Sequence, residues 1–347
     1  MRATTEATTA PLSHRVLRHR PLGRSGLMVS EVGFGAWGIG GRTPGLTSYG
    51  PTDDACSLRA LSVALERGIT LFDTSPAYGA GHSETLIGRA VTGSARARVV
   101  LATKGGCERY DQPLDFSPES LERSLAASLE RLNTDWVDLY QLHNPPPERM
   151  ARGDDLRALM ERWKAAGRIR AFGVSVATPR DGLTALACLA PDAIQANFNL
   201  LDQRCDAEGV LDAAQAAGCA VIARTPLCFG FLTGTVSSAD LFPEGDHRRR
   251  LTPDLRGTWV ESGRRMVEAV RAEAGGTPAQ IALRFCVWHD ALVSAIPGMV
   301  RPEEVEENAD AAGVLRPLMP EEIRRLRELY TDIPVSQGTE SRQGLQK

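Results

Sequence analysis

Eight short apolar runs, each followed by a helical pattern, constrain this chain more than any other feature. The runs are VGFGAW (32–37), TLFDTS (70–75), VVLATKGG (99–106), WVDLYQLH (136–143), IRAFGVSV (169–176), AIQANFNL (193–200), AVIARTP (220–226) and LVSAIPG (292–298). Several are almost continuously hydrophobic, the signature of strands covered on both faces. Between them lie amphipathic stretches with clear start signals. Ser117 precedes Pro118 and a stripe of Leu121, Leu125, Leu129 and Leu132; Thr277 precedes Pro278 and the helically spaced Ile281, Phe285 and Trp288. DDACSLRALSVALERG opens on Asp and closes at Gly68, with Leu58, Leu61 and Leu65 expected to face inward. Strands alternating with helices imply a parallel sheet, and eight alternations close a (β/α)8 barrel.

The flanking segments complete that architecture. HRPLGRSGLMVSE, with its turn at Arg24-Ser25-Gly26, reads as a hairpin plugging the N-terminal end of the barrel, and residues 320–330 read as a final extra helix. The expected organisation is a disordered extension over 1–17, the barrel over 18–335 and a tail over 336–347. The polar stretch 233–257 interrupts the rhythm as one long loop.

Composition limits the function classes. A net charge of −3 supplies no cationic field for nucleic acid or an anionic membrane. The seven cysteines form no CxxC pair and no Cys/His cluster. They read as reduced thiols of a cytoplasmic protein, with no metal site. GFGAWG (33–38) fits G-x-G-x-x-G, with Asp53 twenty residues beyond its first Gly. That fingerprint requires a helix at the glycines, and IGGRTPGLTSYGP cannot supply one.

In a barrel, chemistry sits at the C-terminal strand ends. The residues there are Asp73, Lys104, His143, Ser175, Gln195, Arg224 and Gly298, with Tyr78 on the loop after the second run. Tyr, Lys, Asp and His together make a proton-transfer set. A phenol has a reference pKa of ~10, and lowering it by about three units takes roughly 4 kcal/mol. The expectation is that Lys104 supplies much of this, with Asp73 as its counter-ion.

Across roughly Pro21 to Tyr330 the sequence resembles the aldo-keto reductases, through LGRSGLMVSEVGFGAWGIGG, GITLFDTSPAYGAGHSETLIGRA, VVLATKGG, SLERLNTDWVDLYQLHNP and AIPGMVRPEEVEENADAAG. The resemblance implies a (β/α)8 barrel that uses NADPH, or sometimes NADH, to reduce aldehydes and ketones. Tyr78 would be the proton donor, Lys104 and Asp73 its partners, and His143 the residue orienting the carbonyl. Ser175 and Gln195 match residues on the nicotinamide carboxamide, although the Asn usually beside that Ser is Val176 here. Arg224 stands where an aromatic stacks on the nicotinamide. Pro226, Leu227 and Gly230 belong to PLCFGFLTG, which resembles a pyrophosphate loop built on backbone N–H groups. Gly298 replaces a Lys and Glu304 an Arg, which leaves Arg301 as the cation for a 2′-phosphate. Glu307 and Asn308 match adenine contacts, and Trp37 matches a substrate-pocket position. DHRRR (246–250) reads as a solvated charge run or a cofactor contact. Two other readings stand beside carbonyl reduction: a nucleotide-binding regulatory subunit on the same fold, and reduction of a conjugated C=C bond, against which His143 argues.

Overall fold

The computed structural model describes residues 16–44 and 48–330. Most of the expected extension and all of the expected tail lie outside them. All eight runs are strands of one parallel sheet. After the hairpin strands β1 (His19–Pro21) and β2 (Met28–Ser30) come β3 (Phe34–Gly35), β4 (Leu71–Asp73), β5 (Val100–Gly105), β6 (Val137–His143), β7 (Ile169–Ser175), β8 (Ala193–Asn197), β9 (Ala220–Arg224) and β10 (Leu292–Ile296). Neighbours in sequence pair from β3 through β10. The ends meet through parallel bridges Val32–Ala295 and Gly35–Gly298. Gly33 N–H donates to Ala295 O at 2.8 Å and Gly35 N–H to Pro297 O at 2.9 Å, closing the barrel.

The barrel is a packed core. Its interior is lined by Leu71, Ala102, Leu139, Ala171, Ile222 and their neighbours, and Leu22, Leu27 and Val29 of the hairpin region join that cluster. The antiparallel pair β1–β2 therefore plugs one end, as the turn at 24–26 implies. Chemistry is left to the opposite end, where the strands finish.

Helix starts follow the sequence closely. Ser117 accepts from Ser120 N–H and Pro118 opens the helix Pro118–Arg131. Thr277 and Gln280 form a reciprocal capping box. The inward faces need some correction. On Asp54–Glu66 the buried positions are Ser57, Ala60, Leu61 and Ala64, with Leu58 and Leu65 only half-buried. Small residues and Leu61 take the closest positions, and Leu58 and Leu65 pack at the edges of the helix contact. Trp288 lies beyond its helix, which ends at Phe285.

Residues 233–257 are not one loop. Thr252 caps a 22-residue helix, Pro253–Ala274, which buries Trp259, Met266, Val267 and Val270. Frequent Arg and Glu dilute that apolar stripe in the sequence. The G-x-G-x-x-G match leads into a single 3-10 turn, Gly38–Gly40, and Asp53 caps the first α-helix by accepting from Ala55 N–H. Among the described residues no helix is long and apolar enough to cross a membrane.

Candidate active site

β4 ends at Asp73, and the next turn brings Tyr78 back over it. Tyr78 N–H donates to Ser75 O at 3.0 Å, and Ser83 N–H of the following helix donates to Tyr78 O at 3.2 Å. This turn lies against the loop after β3 with almost no space between backbones. A Cβ on Gly79, whose φ is +63°, would stand 2.0 Å from Gly40 O. Only glycine allows both that conformation and that approach.

Four residues expected to act together do meet. Lys104 Nζ donates to Asp73 Oδ1 at 2.6 Å, to Thr74 O at 2.8 Å and to Tyr78 Oη at 3.1 Å. Its side chain is fully buried, and that of Asp73 is 3% exposed. His143 ends β6 with its ring 6.3 Å from that of Tyr78 and perpendicular to it. Its Nδ1 lies 3.3 Å from Ser75 Oγ. Burial, followed by the charges of Lys104 and Arg224, holds this imidazole well below its ordinary range, so it is neutral.

The second oxygen of Asp73 shows what sequence reading missed. Gln141 Nε2 donates to Oδ2 at 3.0 Å and Gln195 Nε2 at 2.7 Å. Gln141 is two residues before His143, in phase with it on the inward face of β6, and that period-2 placement was the available signal. Gln195 is expected at a carboxamide, yet its donor is committed to the carboxylate, because an inward side chain of β8 meets Asp73 first.

Electrostatics run against the expectation for Tyr78. Burial, and next the Asp73 carboxylate, push the phenol well above its ordinary value, with Arg224 opposing. Lys104 is itself pulled down by burial, with Asp73 working the other way. Asp73 favours the charged ammonium, and burial together with that carboxylate outweighs the cations in setting the phenol. A raised value keeps Tyr78 protonated, which suits an acid.

The other side of the mouth is built differently. Ser175 Oγ at the tip of β7, Asn144 Oδ1 just past β6 and Arg224 Nε at the tip of β9 are buried without hydrogen-bond partners. Two hydrogen bonds to backbone carbonyls bring them together: Asn144 N–H donates to Ser175 O at 2.8 Å, and Arg224 Nη2 donates to Val176 O at 2.9 Å. Such orphans cost free energy unless something meets them. A hydroxyl, an amide oxygen and a guanidinium N–H complement a primary carboxamide, so these residues fit a nicotinamide. A Cβ on Gly298 would meet nothing within 4 Å, so backbone there is open to close approach.

The expected pyrophosphate loop is a tight turn. In the turn containing Pro226, Leu227 and Gly230, the N–H groups of Cys228, Gly230, Phe231, Leu232 and Thr233 all donate within the turn. A 3-10 conformation satisfies these five internally. Arg301 caps the helix Pro302–Gly313 and pairs with Glu304 at 2.7 Å. Glu304 also accepts from Val300 N–H and Arg301 N–H. Asn308 is buried on this helix, and Glu307 is half-buried with its carbonyl taken by Gln280.

Trp37 packs against the Tyr78 group and belongs to a ring cluster with Tyr49, Phe229 and His247. Residues 246–250 are not a simple solvated run. Asp246 is buried and paired with Arg248 at 2.6 Å, and Arg248 stands 4.2 Å over the Phe242 ring. Tyr110 is a further addition, its ring 6.1 Å from that of His143.

The chain is similar to known proteins. The model of the aldo/keto reductase family matches residues 31–331. Aldo-keto reductase YhdN of Bacillus subtilis (strain 168) is 29% identical over 304 residues, covering 86% of this chain and 89% of that protein. The NADH-specific methylglyoxal reductase of Escherichia coli (strain K12) is 30% identical over 317 residues, covering 85% and 93%. The holo form of aldo-keto reductase AKR11C1 from Bacillus halodurans superposes with a TM-score of 0.74 at 26% identity, over 94% of this chain and 100% of that one.

Proposed function

Because the chain belongs to the aldo/keto reductase family, we propose that it is a cytoplasmic NAD(P)H-dependent carbonyl reductase with Tyr78 as proton donor. The observation that carries this reading is the buried chain from Asp73 through Lys104 to Tyr78, with bonds of 2.6 and 3.1 Å. The chemistry that a bound dinucleotide supplies is a hydride to the carbonyl carbon. The protein's part is the proton. As negative charge develops on the carbonyl oxygen, Tyr78 Oη gives up its hydrogen, and Lys104 at 3.1 Å stabilises the phenolate left behind. Asp73, fixed by Gln141 and Gln195, keeps Lys104 charged and aimed. The neutral His143 orients the carbonyl. Hydride on carbon and proton on oxygen make the alcohol.

Ser175, Asn144 and Arg224 would hold the carboxamide, Gly298 would give the dinucleotide room, and Glu307 and Asn308 would meet the adenine. For the 2′-phosphate we propose Arg301, with a modest preference for NADPH and NADH accepted, because Glu304 competes for the same guanidinium.

NADPH oxidation followed by absorbance with a carbonyl panel tests the reading. Tyr78→Phe should lower kcat by about 10²–10⁴-fold while cofactor affinity is kept. A variant keeping most of its kcat removes Tyr78 from the role. Tight NADPH binding by the wild type without turnover of any carbonyl would favour a regulatory nucleotide-binding subunit.

A further inference from the structure

Four rings close around one point beside the reacting centre. His247, from the segment after β9, has its ring centroid 4.9 Å from those of Trp37, Tyr49 and Phe229. Trp37 in turn packs against the Tyr78 group, so this box begins where the proposed proton donor ends. All four side chains are half-buried and stand on the connections beyond the strand ends, Phe229 and His247 in 3-10 turns.

The polar atoms of His247 are unequally treated. Nδ1 lies 3.1 Å from Ser48 O. A carbonyl oxygen can only accept, so Nδ1 carries the hydrogen. Burial holds the ring below its ordinary value, hence neutral, with Asp246 opposing at 3.8 Å. Nε2 is therefore a bare lone pair, shielded from water and without a hydrogen-bond partner. Leaving such an acceptor unmet costs about 1–3 kcal/mol. A second observation points to the same place. Phe229, a non-glycine residue, sits in the left-handed region at φ 56°, ψ 26°. A bulky residue held there marks strain retained for a purpose.

We infer that the box is a substrate subsite in which His247 Nε2 accepts a hydrogen bond from a hydroxyl on the ring of a cyclic, flat carbonyl substrate lying along Trp37. The inference rests on the carbonyl-reductase reading and adds the substrate class. Three aromatic faces favour a planar body, and one lone pair selects a donor over an equally sized apolar group. Admitting the hydroxyl requires one loop-borne ring to turn aside.

The test uses the full chain with NADPH and same-size pairs, 3- and 4-hydroxybenzaldehyde against 3- and 4-methylbenzaldehyde. One hydrogen bond of about 1.4 kcal/mol is tenfold. The hydroxyl-to-methyl ratio of kcat/KM should be about tenfold higher in wild type than in His247→Phe, which keeps the ring packing. Comparing ratios between proteins cancels the intrinsic reactivity of each aldehyde. His247→Gln, which keeps an acceptor, should retain part of the preference. Calorimetry of the matching benzyl alcohols on the cofactor-saturated protein reads the same ratio without turnover, so a failure of catalysis is separate from a failure of the subsite. Equal ratios in wild type and His247→Phe by both measurements would overturn the inference.

Discussion

The two rims of the barrel mouth differ in one respect that organises the rest. On the rim formed by β4, β5 and β6, the charged atoms have partners. Asp73 receives Lys104 on one oxygen and Gln141 and Gln195 on the other. On the rim formed by β7 and β9, Ser175 Oγ and Arg224 Nε are buried with none, and Asn144 Oδ1 beside them is the same. A saturated network fixes its geometry without help, and low dielectric makes each bond in it costly to break. An unsaturated rim is primed for a ligand with the complementary groups. On our reading, the first rim moves the proton and the second holds the cofactor.

The largest expected effect comes from breaking the saturated rim at its centre. Lys104→Met keeps the stem and removes the ammonium. Turnover should fall by about 10²–10⁴-fold or more, and leaving Asp73 buried without its cation should cost about 3–5 kcal/mol in urea unfolding. A variant with wild-type stability would mean that the two glutamines alone satisfy Asp73.

Asp73→Asn removes less and is read from the pH profile. Tyr78 must be protonated to act, and its phenol is raised first by burial and next by Asp73. Wild-type kcat/KM should therefore hold through the ordinary phenol range and fall only above it. Without the carboxylate the phenol value drops, so the basic limb should move to lower pH, with reduced kcat. Superimposable profiles would show that Asp73 does not reach the phenol electrostatically.

The unsaturated rim gives a smaller effect of opposite character. Ser175→Ala deletes a hydroxyl with no partner, so the protein alone should be as stable or more stable, while NADPH affinity drops by up to about tenfold. Gln195→Leu, which removes a donor that reaches across from β8 to the saturated Asp73, should instead lower stability by about 1–3 kcal/mol. If both variants behave alike in thermal melts, the contrast between the rims fails.

The smallest effect concerns cofactor choice at the exposed Arg301–Glu304 pair, where Arg301 is 64% exposed. Exposed pairs are worth about 0.2–1 kcal/mol. Glu304→Ala should raise the NADPH-to-NADH affinity ratio by about two- to fivefold, and Arg301→Ala should lower it by a similar factor. Equal shifts for both cofactors would place the phosphate elsewhere.

These contrasts also explain what could be read in advance. Asp73, Lys104 and His143 were legible because each is a polar residue at the end of an apolar run, and a closed barrel brings such ends to one rim. The helix starts at Ser117 and Thr277 were legible because a cap is a local interaction between residues three apart. Gln195 was placed on its strand, but the bond from its Nε2 to Asp73 was not foreseen, since the reach of a side chain across the barrel depends on register. Pro226, Leu227 and Gly230 were read as part of a loop offering backbone N–H groups, and the turn uses those of Cys228, Gly230, Phe231, Leu232 and Thr233 itself. His247 was read as part of a charge run, because nothing local says that 246–250 folds back onto Ser48.

Sequence alone determined the quantities set by short-range chemistry and periodicity: eight buried strands, the helices that cap themselves, the plugging hairpin, and the strand ends at which polar residues gather. Tertiary structure decided where each of those polar atoms found a partner. It gave Asp73 three donors, and burial together with that carboxylate raises the phenol where the sequence reading expected the ammonium to lower it. It left Ser175 Oγ, Asn144 Oδ1, Arg224 Nε and His247 Nε2 without any. The reason is physical. A residue's propensity and hydrophobicity act over a few positions along the chain, whereas hydrogen bonds and electrostatic shifts act over a few ångströms in space, between residues as far apart in sequence as Asp73 and Gln195.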